Sequence, residues 1–351
     1  MNYLLRTSCA FSCALLLITS TTSGAVTWIV ANNGVDSPSC GTAANPCRSI
    51  TKAISRANPG DTITVGPGRY GDLNSNGTFA DAGDEAAEVN TGCDCMIKVN
   101  KAVKIFSRDG ADVTVLDAGG NSIAVVDIQA SGATFGNKLK GFTITGAGGP
   151  SVAGSGLVID SGVNGVIVAG NRAVANATYG FYINDSTASD QFNGNVAVAN
   201  QGDGFAISGF GHTFSGNAVT ANGGAAFDVL TGSSFLFTHN VAVGNLHGFT
   251  EISIDATSGT LTGNSFVGNR DDGVQVNSAF FSVTKNNIFG NVGAGGDNCG
   301  LNAEFGTLTA PGNFFGAATG PGADPADDVC NGTITTTPLG TKEIKVKVTS
   351  P

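Results

Sequence analysis

Residues 170–291 repeat one seven-residue phrase six times, and this repeat decides the fold. The copies read GNRAVAN, GNVAVAN, GNAVTAN, HNVAVGN, GNSFVGN and KNNIFGN, and they begin at Gly170, Gly194, Gly216, His239, Gly263 and Lys285. Their leading asparagines are separated by 24, 22, 23, 24 and 22 residues. A fixed period in this range is typical of a chain built from stacked structural units.

Each repeat carries short strand patterns and no helical pattern. A second strand begins a few residues after the trailing asparagine of a copy, and its first apolar side chains are Phe181, Phe205, Phe227, Phe249 and Val274. Equivalent residues on successive coils of a solenoid lie about 4.8 Å apart, so we expect these side chains to stack inside. The pattern predicts an all-β protein, a parallel β-helix of about ten coils.

The repeated asparagines are best interpreted as structural. An amide side chain can bond to the amide above it and to the amide below it, which satisfies polar groups inside the stack. The chemistry of this protein is therefore sought in the variable positions between the asparagines.

One amphipathic helix precedes the coils. Ile50, Ala53, Ile54 and Ala57 follow the i, i+3, i+4, i+7 spacing, and Pro59 follows them as a stop. We expect this helix to cover the open apolar end of the stack. The predicted organisation is one domain, 26–351, with an N-terminal strand and cap helix (26–60) and coils (61–311). An acidic excursion interrupts the coils at 71–95.

The C-terminal section (312–351) is predicted to form a last coil and an edge strand. Ile344, Val346 and Val348 alternate there with Lys345 and Lys347. Lysines on an edge strand hinder pairing with another chain, so such a strand would protect the last exposed edge.

Residues 1–25 have the pattern of a secretory signal peptide. Arg6 is followed by the apolar run 13–18 and by a small-residue cleavage site at Ser23-Gly24-Ala25. The run is too short to span a bilayer, and no other stretch of the sequence is a transmembrane candidate. We expect a protein that is secreted, or held at the cell surface or in the periplasm.

The charge limits the partners. The formal net charge is −10, with 17 Lys and Arg against 27 Asp and Glu. Scattered basic residues in an acidic chain argue against binding of nucleic acid or anionic membranes. Tight binding of a polyanion would need a cation to mediate it.

Six cysteines remain after the signal peptide, and an even number in an exported chain favours disulfides. The predicted pairs are Cys40–Cys47 and Cys299–Cys330. Cys93 and Cys95 stay open, because a bridge across one residue is strained. They are a disulfide, a thiol pair or metal ligands.

The acidic excursion allows two interpretations. Asp81, Asp84, Glu85 and Glu88 could supply the carboxylate oxygens of a Ca²⁺ site, the one cofactor that the sequence suggests. The alternative is a solvated acidic loop, because the carboxylates lack the spacing of a calcium-binding loop.

Two segments carry a resemblance to a known group. Residues 60–70, which read GDTITVGPGRY, and the phrase Asn313-Phe314-Phe315-Gly316 resemble the first and last coils of pectate-lyase-like proteins. The resemblance implies a right-handed parallel β-helix that acts on extracellular polysaccharide. The segment 179–249 is similar to the catalytic modules of mannuronan C5-epimerases and related alginate lyases.

The catalytic signature of those enzymes is altered in this chain. The epimerase motif Y-G-F-D-P-H supplies Tyr, Asp and His for proton transfer, whereas residues 179–184 read YGFYIN. Tyr179 matches the motif, but Tyr182 and Asn184 stand where the acid and the histidine should be. Tyrosine alone is a poor base, so the activity does not carry over from the motif.

Alignment on the Gly-Phe pairs places one variable residue per coil in a single row. The row contains Tyr179, Asp203, Ala225, His247 and Asp272. Its four polar members are the candidate catalytic residues, since a neighbouring carboxylate can orient an imidazole for acid–base work. The candidate substrate-binding residues are Arg172, Tyr182, Arg270 and Gln275. The alternative is a set of solvated turn residues with an incidental ion pair.

A second row is apolar and is expected to point outward: Val174, Val198, Thr220, Val243, Val267 and Phe289. If exposed, it would be a partner or glycan surface; otherwise loops or the C-terminal tail cover it.

The leading hypothesis is a secreted protein that binds or processes extracellular polysaccharide. The alternative is a non-catalytic cell-surface or matrix protein that uses the rod as a spacer or an adhesive. The fold alone does not separate the two.

Overall fold

The computed structural model describes residues 24–79, 81, 83–85, 92–186, 189–251, 257–293, 295–304, 307–323 and 325–348. Nearly all of the predicted signal peptide (1–25) lies outside these residues. Within them the chain forms three long sheets of parallel strands and one short two-stranded sheet.

The strands fall into three faces, named here sheets A, B and C. Sheet A consists of Thr27–Val30, Thr62–Val65, Lys104–Ser107, Thr134–Phe135, Ile167–Ala169, Gln191–Asn193, Thr213–Ser215, Phe235–Thr238, Gly259–Thr262 and Phe281–Thr284. Sheet B consists of Gly68–Gly71, Thr114–Asp117, Thr143–Thr145, Arg172–Val174, Val196–Val198, Ala218–Thr220, Val241–Val243, Ser265–Val267 and Asn287–Phe289. Sheet C consists of Cys95–Val99, Ala124–Ile128, Leu157–Ile159, Phe181–Ser186, Phe205–Phe210, Phe227–Ser233, Phe249–Glu251, Val274–Val276, Cys299–Ala303 and Asp328–Cys330. The short sheet pairs Thr307–Thr309 with Thr333–Thr335.

Each coil visits the three sheets in turn. The coil that begins at Ile167–Ala169 in sheet A continues through Arg172–Val174 in sheet B and Phe181–Ser186 in sheet C. It then returns to sheet A one level higher, at Gln191–Asn193, and pairs with its starting strand in parallel. The predicted parallel β-helix is confirmed.

Phenylalanine rings fill the interior. The predicted row is present, because Phe181, Phe205, Phe227, Phe249 and Val274 stand opposite one another in sheet C. The Phe181 and Phe205 rings stack with their centroids 4.5 Å apart. A second stack on sheet A, which includes Phe214, meets the first edge to face, with Phe205 and Phe214 5.6 Å apart. Such pairs add about 0.5–1.5 kcal/mol each beyond the burial of their area.

The asparagines form two buried ladders, as predicted. In the leading ladder the Asn195 amide donates to Asn217 Oδ1 at 3.1 Å and to the Val168 carbonyl at 2.9 Å. The same contacts recur on successive coils until Asn313 ends this ladder. The trailing ladder ends at a carboxylate, because Asn291 donates its amide to Asp327 Oδ2 at 2.7 Å. A carboxylate suits the last level, since it accepts hydrogen bonds and leaves no donor to satisfy.

The predicted cap helix is present at Ile50–Arg56. Ser49 is its N-cap and accepts a hydrogen bond from Lys52 N at 3.0 Å, while Ile50, Ala53 and Ile54 are buried. Glu85 adds a second cap from 35 residues away, since its carboxyl oxygens accept from Ile50 N at 3.0 Å and Thr51 N at 2.7 Å. Capping by a distant, fully buried acid ties the excursion to the helix.

The burial of Glu85 makes stability depend on pH. Burial raises the pKa of Glu85 from 4.5 to about 7, against the opposing hydrogen bonds from Thr51 and Ile50. The folded state then binds more protons than the unfolded state between these values, so stability falls as pH rises from about 4.5 to 7. A shift of this size corresponds to about 3 kcal/mol. We expect the Glu85→Gln variant to lose this pH dependence when its free energy of unfolding in urea is measured between about pH 4.5 and 7. If the free energy of the variant changes with pH as that of the wild type does, Glu85 is not the group responsible.

The described residues do not support the predicted calcium site. Asp81 Oδ2 accepts from the side chains of Asn74 and Asn76, both at 2.7 Å, and Asp84 Oδ1 accepts from Leu73 N at 3.0 Å. Glu85 is committed to the helix, and Glu88 lies outside the described residues. Each of the described carboxylates therefore accepts hydrogen bonds from different groups of the loop or the helix. They are not among the described groups of three or more ligand atoms within 4.8 Å of one another.

The two disulfides predicted from the sequence are present in the structure. Cα atoms are 4.8 Å apart in Cys40–Cys47 and 5.9 Å apart in Cys299–Cys330, and both pairs are bonded through sulfur. The open pair Cys93–Cys95 is also a disulfide in this structure.

The edge strand predicted from the alternation at residues 344–348 does not form. Residues 336–348 form no strand, although they run along the body of the solenoid. The backbone of Ile344 bonds to the side-chain amide of Asn287 through both its N–H and its carbonyl, each at 2.8 Å. Because this partner is a side chain, no ladder of main-chain hydrogen bonds forms.

Candidate functional site

The outer face of sheet C carries the candidate site. Outward residues of successive strands stand opposite one another in the order Tyr182, Ala206, Asp228, Thr250 and Gln275. Parallel pairing without a crossover brings these side chains to consecutive levels about 4.8 Å apart. Residues far apart in sequence therefore share one surface.

A second row lies where the chain enters sheet C. Gly180 N donates to the Asp203 carbonyl at 3.0 Å, and Gly204 N donates to the Ala225 carbonyl at 2.9 Å. In the same way, Ala226 N donates to the His247 carbonyl and Gly248 N donates to the Asp272 carbonyl. The structure thus aligns all four candidate catalytic residues, Tyr179, Asp203, His247 and Asp272, in one row that spans five successive levels. Their catalytic role stays a prediction.

Two tyrosines form a flat platform at one end of these rows. The rings of Tyr179 and Tyr182 stack with centroids 5.4 Å apart and planes inclined by 17°. Burial raises the pKa of Tyr179, and the nearby Asp203 charge raises it further. At neutral pH this phenol is therefore a hydrogen-bond donor and an apolar surface, and it is not a base.

Asp203 has the protonation behaviour of an acid catalyst. Burial raises its pKa to about 7, and the charge of Asp228 on the next level adds to the increase. Its Oδ1 accepts a hydrogen bond from Ala225 N at 2.7 Å, which fixes the carboxyl group. A fixed carboxyl group with a pKa near 7 can both give and take a proton at neutral pH.

Asp228 is a site residue that the sequence analysis did not single out. It stands in the outward row of Tyr182, two levels further along, and Thr250 Oγ1 donates to its Oδ1 at 2.6 Å. Burial raises the pKa of Asp228, while the Thr250 hydrogen bond and His247 oppose the increase. The carboxyl group missing at position 182 is therefore present in the same row. The repeat marks the position of Asp228, directly after Phe227, but the other four residues of this row carry no acid, so the carboxyl group itself was not signalled.

His247 lies against two acidic residues. Its Nε2 is 3.9 Å from Asp271 Oδ2, and one ligand atom each from His247, Asp271 and Asp272 lie within 4.8 Å of one another. Asn302 holds Asp272 by a hydrogen bond of 3.0 Å, and burial raises the Asp272 pKa. An imidazole and two carboxylates have the donor types for a divalent cation.

The candidate substrate-binding residues are divided between faces. Tyr182 and Gln275 lie on sheet C, whereas Arg172 is on sheet B and pairs with Asp112. Arg270 directs its guanidinium to the carbonyls of Asn222 at 2.9 Å and Gly223 at 3.2 Å. Arg172 therefore lies off the two rows, and Arg270 keeps its charge while it bonds to these carbonyls. The four aspartates of the face outnumber this one guanidinium.

The outward apolar row of sheet B is mostly half-buried. Val174, Val198, Thr220, Val267 and Phe289 are partly covered, while Val243 is 39% exposed. This row is not a continuous exposed stripe, and the sheet C face carries the stronger case for a ligand.

Comparison with known proteins places the chain in a fold family. It belongs to the family described as "Right handed beta helix region", whose model matches residues 49–246, more than half of the 351 residues. This match and the parallel sheets define a right-handed parallel β-helix. The finer similarity to epimerase modules stays a prediction.

Three solved structures resemble the chain at low identity. A pectate lyase is 16% identical (TM-score 0.43) over 92% of this chain and 80% of its own. A rhamnogalacturonan lyase is 14% identical (TM-score 0.46) over 91% of this chain and 84% of its own. A GH136 lacto-N-biosidase from Eubacterium ramulus is 11% identical (TM-score 0.38) over 91% of this chain and 68% of its own. Curated proteins gave no match. No helix among the described residues has the length and apolar character needed to cross a membrane.

Proposed function

We propose that this protein is exported and that it binds and processes extracellular polysaccharide along the outer face of sheet C. One observation carries the proposal: the stacked Tyr179 and Tyr182 lie beside two half-buried carboxyl groups, Asp203 and Asp228, whose pKa values are raised. A flat aromatic surface next to an acid–base pair has the parts that a sugar-processing site needs.

The roles follow from the environment of each group. A sugar ring stacks on the tyrosine platform, and protonated Asp203 donates to the oxygen of the bond that breaks. Asp228, held by Thr250, takes the complementary role of base or nucleophile together with His247. Protonation of a leaving oxygen serves both hydrolysis and elimination, so these residues suit either reaction.

The charge of the site favours an uncharged glycan. Asp203, Asp228, Asp271 and Asp272 all belong to this face, and the Arg270 guanidinium is engaged with backbone carbonyls. A polyuronate would be repelled unless a cation screened its carboxylates. His247, Asp271 and Asp272 could hold such a cation.

A substrate screen tests the proposal. The mature protein is incubated with neutral glycans, alginate and pectate, each with and without Ca²⁺. New reducing ends indicate cleavage, absorbance of unsaturated sugar ends indicates elimination, and solvent exchange at C5 indicates epimerisation. If all readouts stay blank and a glycan array shows no binding, the proposal is overturned and the non-catalytic spacer or adhesive remains.

The tyrosine platform gives a binding prediction. Tyr182→Ala should weaken binding of a glycan found in the screen roughly tenfold, the equivalent of one aromatic contact. Tyr182→Phe keeps the ring and should bind like the wild type. Calorimetric titration checks both, with Phe280→Ala as the control, an exposed ring in the turn before the sheet A strand Phe281–Thr284. Equal affinity of the alanine variant and the wild type would remove the platform from the site.

A further inference from the structure

A second cluster lies at the N-terminal end of sheet C, apart from the acid–base pair. Cys93 and Cys95 form a disulfide, and one ligand atom each from Cys93, Cys95 and Asp127 lie within 4.8 Å of one another. The cluster faces a cavity of about 400 Å³ that Asp160 also lines. Cys95, Ala124 and Val158 form an apolar floor there.

The three groups differ in access to solvent. Cys93 is half-buried and lines the cavity, whereas Cys95 is fully buried. Asp127 is only 7% exposed; its Oδ2 accepts from Gln129 Nε2 at 3.0 Å, and its Oδ1 is buried without a hydrogen-bond partner. An unsatisfied buried carboxyl oxygen is costly, so one beside a disulfide calls for an explanation.

Stabilisation of the fold explains this disulfide poorly. A bridge across one residue closes a very short loop, so it restricts the unfolded chain much less than Cys299–Cys330, whose cysteines are 31 residues apart. A Cys-X-Cys ring is also strained by its small size. Strained and accessible disulfides are the ones that exchange with thiols.

We propose that Cys93–Cys95 is a thiol–disulfide exchange site for a small thiol, with Asp127 as the proton donor and acceptor. The thiolate of the incoming compound attacks Cys93 Sγ, the S–S bond breaks, and the Cys95 thiolate leaves and takes the proton of Asp127. The thiolate of a second molecule attacks the sulfur of the bound compound in the mixed disulfide, the oxidised compound leaves, and the Cys93 thiolate takes a proton from solvent. The two protons that the thiols lose to solvent balance the one taken by Cys93 and the one that Asp127 recovers. Two electrons pass from two thiols to the protein disulfide, which becomes a dithiol.

The surroundings define the class of thiol. Asp127 and Asp160 line the cavity, and Asp94 is exposed at its rim, so an uncharged or cationic thiol is favoured over an anionic one. Burial raises the pKa of Asp127 to about 6, Asp160 adds to the increase, and the Gln129 hydrogen bond and Lys98 oppose it. Near pH 6 the carboxyl group can therefore give a proton to Cys95 and recover it.

Stepwise reduction tests the proposal on the oxidised mature protein. Cysteamine is added, free thiols are trapped with iodoacetamide, and the alkylated cysteines are identified by peptide mass spectrometry. We expect Cys93 and Cys95 to be reduced roughly tenfold faster than the other two pairs, and faster with cysteamine than with glutathione at equal thiolate concentration. Equal rates for the three disulfides would overturn the proposal without any variant.

The pH dependence separates an exchange site from a merely exposed bridge. The rate per cysteamine thiolate should fall as pH rises through about 6, because Asp127 then loses the proton that it donates. Asp127→Asn should be slower and lack this step, while Asp160→Asn in the same cavity should keep it. A wild-type rate per thiolate that is independent of pH would remove Asp127 from the reaction. These outcomes do not depend on polysaccharide activity.

Discussion

Replacement of Asn217 by alanine is expected to lower the free energy of unfolding by roughly 3–5 kcal/mol, the largest stability effect predicted for this chain. Asn217 is fully buried and makes four ladder contacts. Its Oδ1 accepts from Asn195 N at 2.9 Å and from the Asn195 amide at 3.1 Å. Its own amide donates to the Phe192 carbonyl and to Asn240 Oδ1, both at 2.9 Å. Alanine removes the acceptor of Asn195 N and the donor to the Phe192 carbonyl where water has no access, at about 1–3 kcal/mol each. The Asn195 amide keeps its bond to the Val168 carbonyl, and Asn240 Oδ1 still accepts from Asn217 N at 2.9 Å.

The ladder also makes the aspartate variant informative. Asn217→Asp keeps the shape but replaces the donor with an acceptor, so acceptors would face each other at Phe192 and Asn240. We expect it to be destabilised as well, whereas Gln201→Ala on the exposed turn should change little. Urea unfolding followed by circular dichroism measures all three. A loss below about 1 kcal/mol for Asn217→Ala would show that the stack tolerates an open level.

The geometry of the solenoid explains why the ladders and the phenylalanine rows could be predicted from the sequence. A residue that points into a solenoid contacts the equivalent residue on the next coil. The packing requirement that favours Asn at positions 195 and 217 and Phe at position 205 therefore recurs on each coil, and the sequence shows it as a period. The helix at Ile50–Arg56 was predictable for a similar local reason, since its spacing and stop are contained in a few residues.

The site and the chain ends follow contacts that have no period. Asp228 stands opposite Ala206, one level beyond Asp203, through the register of sheet C, and Glu85 caps a helix 35 residues away. At the C-terminus, Ile344 is held by the Asn287 side chain across 57 residues. Each of these contacts is made once, so no repetition in the sequence marks it.

The Asp203→Asn variant is expected to lower kcat by roughly 10²–10⁴-fold on a glycan found in the screen, the usual contribution of a general acid. Asparagine has the same shape and keeps an oxygen for the 2.7 Å hydrogen bond from Ala225 N, so folding and binding should be retained. KM should therefore change much less than kcat. Asp228→Asn should also abolish turnover, because its carboxylate completes the pair.

The pH dependence of kcat distinguishes an acid role of Asp203 from a purely structural role. Asp203 is the acid only while protonated, and its pKa is about 7, so wild-type kcat should fall as pH rises through that value. The residual activity of Asp203→Asn should lack this limb. Asp112→Asn, which removes the sheet B partner of Arg172, is the matched control and should keep both the rate and the profile. If Asp203→Asn turns over like the wild type, or if it keeps the same alkaline limb, Asp203 is not the acid.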